Sequence, residues 1–305
     1  MPATQVPPVP ATAPRAAAAA IQPWLPRLVV APSFVLAFLF IYGLMAWNGV
    51  LSVSASRLLP NYEFVGLAQY ERLFDSERWW VALQNLGIFG VLFVGGGMAL
   101  GLLLAILLDQ KVRAEGLLRT IYLYPMALSF IVTGTAWKWI LNPGLGIEHM
   151  VQQWGFGGFS FGWLVDPDMA IYCIVIAGIW QSAGFVMALF LAGLRGIDDS
   201  IIKAAQVDGA SLPRIYWRIL IPSLRPVFFS TLMVVSHLAI KSFDLVMALT
   251  AGGPGYATDM PATYMYTMAF SRGQIGLGAA SATIMLATVA AIVVPYLYSE
   301  LRVRK

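Results

Sequence analysis

The chain alternates long apolar runs with polar stretches. Six runs stand out, at 28–51, 83–108, 121–141, 170–194, 227–249 and 277–298. Each is 21 to 26 residues long, and four of the six contain no Asp, Glu, Lys or Arg. About 20 apolar residues cross the hydrocarbon core of a bilayer. A spanning segment must satisfy its own backbone polar groups, and these runs are far too long for barrel strands, so each predicts a helix. The pattern predicts an all-α integral membrane protein with six spans.

The polar stretches set the orientation. With the N-terminus inside, 13 Lys and Arg residues fall on the inner side. Four, Arg57, Arg72, Arg78 and Arg272, fall outside, and Lys138 and Lys241 lie in or at the edges of spans. Cytoplasmic loops carry the cationic excess, so both termini are expected in the cytoplasm. The outer loops, 52–82, 142–169 and 250–276, are long. Trp79, Trp80, Trp154 and Trp163 fit an interfacial aromatic belt, and the first loop is expected to be partly helical at the interface. The third opens on the turn cluster Gly252-Gly253-Pro254-Gly255. Gly97 and Gly101 form a G-x-x-x-G pair that permits close helix crossing, here expected within the chain rather than between copies.

Composition agrees. Of 305 residues, 59% are hydrophobic and 11% charged, against about 25% charged in soluble domains. A net charge of +4 is loop topology and calls for no nucleic acid. The single Cys173 lies in a span, which rules out a disulfide framework. One Cys and two distant His residues make neither a metal site nor a nucleophile pair. Residues 1–23 are Pro- and Ala-rich and read as a disordered cytoplasmic tail rather than a signal peptide. The span-bearing domain is expected over 24–300, with a short C-tail at 301–305.

One charged island interrupts the apolar pattern on the inner side. The stretch 203–222 reads KAAQVDGASLPRIYWRILIP, within a longer loop at 195–226. Ile201, Ile202, Ala204 and Ala205 begin a short helix. Asp208-Gly209 breaks it, because Gly accepts positive φ. Ser211 is a good N-cap, and Pro213 suits a first helical turn. Ile215, Tyr216, Ile219 and Leu220 then form an apolar stripe, with Arg214, Arg218 and Arg225 on the other side. Physically this is either an interfacial hairpin that anchors the loop or a docking surface for a partner.

The stretch resembles the EAA loop of ABC importer permeases, patterned E-A-A-x-x-D-G-A, five residues, F-x-x-I-x-L-P. Ala204, Ala205, Asp208, Gly209, Ala210, Ile219 and Pro222 match in register. Lys203 stands where the family has Glu, Tyr216 where it has Phe, and Ile221 where it has Leu. The resemblance implies a coupling helix that inserts into an ATP-hydrolysing subunit. The chain has no G-x-x-x-x-G-K-[ST] phosphate loop of its own, so the ATPase would be a separate chain. Phe243-Asp244, the run from Leu249 to Pro254, Tyr264, Ala269-Phe270, Ala192 to Arg195 and Trp137-Lys138-Trp139 resemble the carbohydrate-importer permeases. Across about 28–300 the chain is similar to the glucose/mannose permease subunit of proteobacterial importers, notably at 122–128 and 240–244.

Polar groups within the spans are the candidate pathway. His237, Lys241 and Asp244 are spaced four and three apart, which predicts one helical face. Ionisable groups in spans are costly and face a bundle interior or a wet path. They either line a sugar route or hold helices together as a Lys–Asp pair. Trp180 and Gln181 offer an aromatic ring beside an amide, as a sugar site needs. Ser129, Thr133 and Trp137 share a face, and their other reading is helix packing.

The resemblance then implies a six-helix type I permease fold with a cytoplasmic coupling helix, in a bacterial inner membrane. It implies a non-enzymatic subunit of a binding-protein-dependent importer, working by alternating access. A second, similar permease, a pair of ATPase subunits, a periplasmic sugar-binding protein and membrane lipid are the implied partners. The chain itself would bind no cofactor, since ATP and Mg belong to the ATPase. The rival readings are a disaccharide or glycerol-phosphate substrate, an ion-coupled secondary carrier, or a membrane enzyme. The carrier would need mid-span coupling carboxylates, of which Asp244 is the one clear case. The enzyme would need a polar catalytic cluster, which the sequence lacks.

Overall fold

Every apolar run is helical in the computed structural model, which describes residues 25–110 and 112–303. The expected N-terminal tail and the last two residues of the C-tail lie outside the described residues. The chain divides into two units, 1–50 and 51–305.

In the first unit, Leu25–Phe38 is α-helical, Leu39–Gly43 widens to a π turn, and Leu44–Ser52, which runs two residues past the unit's end, returns to α. Phe34, Leu39 and Ile41 are exposed, which suits a helix with apolar surroundings outside its own chain.

The second unit is built on two long helices, Glu77–Asp109 and Ala170–Arg195, packed along each other. Phe89, Phe93, Met98 and Ala105 of the first meet the buried face of the second, which includes Ile174, Val186 and Phe190. Gly101 explains the closeness. A Cβ there would lie 2.5 Å from Val186 Cγ1 and 3.0 Å from the Met187 amide nitrogen. The G-x-x-x-G pair thus serves packing inside the chain.

The third run is not one straight span. Glu115–Ala127 and Phe130–Ile140 meet at 99°. Pro125 removes one backbone donor in the last turn of the first helix. Ser129 N-caps the second, its Oγ accepting the Ile131 N–H at 3.2 Å. The Leu128 carbonyl freed at the bend accepts the side-chain amide of Gln181 at 2.8 Å.

The fifth run also breaks. Arg225–Ile240 ends with Lys241 as C-cap (φ −91°, ψ 19°), and Phe243–Leu249 starts afresh. A cation suits the carbonyl end of one helix, and Ser242 takes the N-cap position of the next. Phe243–Leu249 packs on Phe130–Ile140. Gly134 permits it, since a Cβ there would lie 2.6 Å from Ala248 Cβ and 3.1 Å from the Leu245 carbonyl oxygen.

The last helix is Ile275–Val303, and on it packs the short outer helix Ala68–Phe74. Leu73, Trp79, Ala82, Tyr264, Met268, Leu277 and Ala280 form a second core there. Trp79, expected in an interfacial belt, is fully buried against Tyr264, with ring centres 5.3 Å apart. Its helix begins at Glu77, six residues before the apolar run, which draws the ring into the core. The described residues contain four helices long and apolar enough to cross a membrane, and up to six spans if two bent pairs are each counted as one, Glu115–Ala127 with Phe130–Ile140 and Leu212–Ser223 with Arg225–Ile240.

Candidate functional site

The inner loop folds into a short helical hairpin. Asp198 caps its first helix, Asp199–Val207, by accepting the Ser200 N–H at 2.8 Å. Those bonds from Ser200 hold the Asp198 carboxyl below the usual carboxylate range. The helix ends at Asp208, and Gly209 is left-handed at φ +77°. The Gly209 N–H donates to the Gln206 carbonyl and the Ala210 N–H to the Ala205 carbonyl, each at 3.0 Å. This pair of bonds is a Schellman cap, which satisfies the orphan carbonyls of the last turn.

Ser211 then begins a second helical stretch, with Pro213 in its first turn. The Ser211 side chain makes no capping bond. Leu212–Ile215 runs into a π turn, Tyr216–Leu220, and then Ile221–Ser223, which contains Pro222. The hairpin has two faces. Ala205, Ile215, Leu220 and Leu224 are buried in the main core, while Ala210 and Ile219 pack against it. Lys203, Ala204, Asp208, Gly209 and Pro222 are exposed, as are Val207 at 87% and Trp217 at 74%. With Ile201 and Leu212, which are also exposed, they leave the hairpin an apolar surface suited to being covered.

Tyr216 ties the hairpin to the end of Glu77–Asp109. Its hydroxyl donates to Asp109 Oδ2 at 2.6 Å and accepts from Gln110 Nε2 at 2.6 Å. Burial, helped by the hydrogen bond to Asp109 and its charge, pushes the phenol well above the ordinary tyrosine range. Beside it, Glu115 joins the start of its own helix to the end of Ala170–Arg195, accepting from Arg119 and Arg195 at 2.8 Å each. The hairpin is thus bonded through Tyr216 to the end of one long helix, and the end of the other is bonded through Arg195 to Glu115. Sequence reasoning placed Tyr216 but not its partners, which lie 107 and 106 residues away.

The candidate pathway residues divide. Trp137 and Trp180 come together edge to face, with ring centres 5.9 Å apart and Trp180 exposed. Gln181 is buried, with its amide committed to the Leu128 carbonyl. Ser129 is a cap, and Thr133 is buried. The single face expected for His237, Lys241 and Asp244 does not form. The helix ends between the first and last of them, so their spacing no longer fixes a common direction. All three are exposed, and Lys241 and Asp244 form no ion pair with each other. Phe243, Tyr266 and Phe270 form an aromatic row beside this break, with successive ring centres 5.1 and 5.3 Å apart.

A buried polar centre in the loops expected on the outer side was not legible in the sequence. Asp259 is 1% exposed and pairs with Arg78 at 2.5 Å. Asn85 donates to the Asp259 carbonyl at 2.9 Å. Arg78 also lies over the Tyr256 ring, 4.3 Å from its centre. The available signal was that Asp259 is the only acid in the loop 250–276.

Residues 97–303 match the family model described as binding-protein-dependent transport system inner membrane component. A probable ABC transporter permease protein of Pyrococcus horikoshii is 42% identical over 280 residues, 90% of this chain and 96% of its own length. The xylose/arabinose import permease protein XacH of Haloferax volcanii is 37% identical, over 88% of this chain and 85% of its own. The sn-glycerol-3-phosphate transport system permease protein UgpA of Agrobacterium fabrum is 32% identical, over 88% and 92%. Among solved structures, a chain of a bacterial ABC transporter involved in the import of the acidic polysaccharide alginate superposes with a TM-score of 0.82. It is 22% identical and covers 95% of this chain and 100% of its own, a likeness of fold.

Proposed function

The chain belongs to the family of inner membrane components of binding-protein-dependent transport systems, and from that premise we propose that it is the permease subunit of an importer for a sugar. Its fold is the type I fold of ABC importer permeases, and like its relatives it is a transport subunit rather than an enzyme. The observation that carries the reading is the inner hairpin, buried on one face and exposed on the other around Val207, Gly209 and Trp217. Such an element suits a groove on an ATPase subunit. ATP and Mg belong to that subunit, since this sequence has no phosphate loop. Closure of the ATPase pair pulls on the hairpin, and Tyr216 and Glu115 pass the displacement to the helices.

A second, similar permease chain completes the pathway, with both termini of this chain in the cytoplasm of a bacterium and its outer loops facing a soluble binding protein. Trp137, Trp180 and the Phe243, Tyr266 and Phe270 row offer flat apolar faces for sugar rings, and His237, Lys241 and Asp244 offer polar edges. Glucose or mannose is the proposed substrate, on the resemblance at 122–128 and 240–244. A pentose is the second reading, favoured by the relative named for xylose and arabinose. A phosphorylated substrate would need more cationic groups than Lys241 alone.

The test is uptake into proteoliposomes holding the full importer, with labelled glucose, mannose, xylose, arabinose, maltose and glycerol phosphate. Glucose or mannose uptake that requires ATP and the soluble binding protein is the expected result. Uptake that follows an ion gradient without ATP sinks the importer reading, and a preference for xylose or arabinose replaces the hexose by a pentose.

A further inference from the structure

The four outer arginines divide unequally. Arg78 is committed to Asp259. The other three, Arg57, Arg72 and Arg272, line one cavity of about 410 Å³ together with Gln69 and Gln274. No carboxylate lines this cavity, and none of the three arginines has an ion-pair partner among the described residues. All three are exposed. Glu63, Glu71, Asp75 and Glu77 lie in the first outer loop but none lines the cavity, so the three uncommitted arginines make its wall locally cationic and suited to an anionic group.

The cup is pinned from beneath. Gln69 is 6% exposed, and its Nε2 donates to the Ser54 carbonyl at 2.9 Å. Its Oε1 accepts from Arg72 Nη1 at 3.4 Å. Ser56 Oγ donates to the Asn61 carbonyl at 2.8 Å, and the Ser56 carbonyl accepts the Gly276 N–H at 2.9 Å. A Cβ at Gly276 would sit 2.8 Å from the Ser54 carbonyl oxygen, so the first outer loop and the start of Ile275–Val303 lie against each other. The arginines therefore stand on a rigid floor shared by two loops and one spanning helix.

We propose that this cup is the acceptor for a carboxylate-bearing projection of the soluble binding protein. The proposal rests on the binding-protein-dependent reading above. Guanidinium forks match carboxylates in pairs, and a concavity suits a protruding loop better than a flat layer of headgroups. Seating an acid there bridges the first outer loop to the last helix, so delivery of solute is registered mechanically at Ile275–Val303. Charge complementarity of this kind acts first on the rate of encounter and on its salt dependence.

The experiment uses the complete importer in proteoliposomes, with transport measured against binding-protein concentration at two ionic strengths. Arg57→Gln, Arg72→Gln, Arg272→Gln and the triple variant are compared with wild type. The triple variant is expected to need more than tenfold more binding protein for half-maximal rate, with unchanged maximal rate and a flattened salt dependence. A charge swap guards against misfolding. Arg272→Glu should lose apparent affinity and regain it with a binding protein whose docking acid is changed to Lys. Wild-type concentration and salt dependence in the triple variant overturns the proposal, and so does failure of every acid-to-Lys change to rescue Arg272→Glu. An effect seen only in vesicles containing phosphatidylglycerol, independent of binding-protein concentration, assigns the cup to lipid instead. Inorganic phosphate that binds tightly and is lost in the variants, with docking unchanged, assigns it to a free anion. If the wild-type importer needs no binding protein at all, the underlying functional reading fails, which is a different result from all of these.

Discussion

Gly209 allows a graded test of the coupling hairpin. Its φ of +77° is left-handed, and nothing lies within 4 Å of a Cβ built there. A substitution therefore meets no steric clash, and its whole cost is conformational. Placing an ordinary L-residue in that region costs roughly 1–2 kcal/mol, a β-branched one about 2–3 kcal/mol, and Asn much less, because its side chain bonds locally. The alternative for the chain is to abandon the cap and lose the Gly209–Gln206 and Ala210–Ala205 bonds. At about 1.4 kcal/mol per tenfold change, Gly209→Val raises the population of hairpins with a frayed cap roughly 30- to 150-fold, and Gly209→Ala about 5- to 30-fold. The assay is the ratio of sugar transported to ATP hydrolysed in reconstituted importers, with membrane insertion checked in parallel. The expected order is wild type, Asn, Ala, Val, with insertion unchanged throughout. If Val and Asn behave alike, the left-handed cap is not what coupling needs. If the Val variant keeps normal sugar-stimulated ATP hydrolysis, the hairpin is not the coupling element.

Tyr216→Phe removes the bonds to Asp109 and Gln110 but keeps the ring in the core. Hydrogen bonds to charged groups contribute about 1.5–3 kcal/mol when buried, and the partial exposure of Asp109 brings this to about 1 kcal/mol. Transport per ATP should fall several-fold with little change in melting temperature, and an unchanged ratio would show that Tyr216 transmits nothing. Gly134→Leu overpacks the contact with Ala248 and Leu245 at a cost of about 1–3 kcal/mol. Thermal unfolding in detergent should shift down and transport should be lost together, whereas a neutral result would mean that Phe130–Ile140 and Phe243–Leu249 separate freely. Lys203 is exposed and has no ion-pair partner among the described residues, so it is free to meet an acid on the proposed ATPase partner. Lys203→Glu should weaken assembly in pull-down, more at low salt than at high. Stronger assembly would mean that the groove itself is cationic.

Hydropathy made the helices legible, because a run such as 170–194 admits one solution in lipid. It did not make the two breaks legible, because averaging over a span hides one or two residues. The local marks were nonetheless present. Pro125 and Ser129 sit four apart at the first break, and Lys241-Ser242 sits inside the second. The EAA-like spacing located the hairpin and its Gly209 turn, since turn chemistry is local. Its ties to Asp109 and Gln110 were not legible, and neither was the Arg78–Asp259 pair, whose members lie 181 residues apart. Such partners are chosen by packing, and one sequence carries no record of packing.

The breaks also explain why the ionisable residues of the fifth run tolerate exposure. Arg225–Ile240 has 16 residues, about 24 Å of helix, short of a hydrocarbon core of about 30 Å. Its continuation is the bent segment Lys241-Ser242 and then Phe243–Leu249. Non-helical backbone at membrane depth persists only where protein or a water-filled cavity surrounds it. An exposed Lys or Asp in a span obeys the same restriction. Both restrictions fall on Lys241 and Asp244, which are uncovered by the chain's own helices. Enclosed water or a neighbouring chain meets that restriction, and the proposed pairing with a second permease supplies both. The aromatic row of Phe243, Tyr266 and Phe270 opens onto the same break. A pathway shared between two permease subunits meets all of these conditions at once, whereas a lipid-facing surface meets none of them.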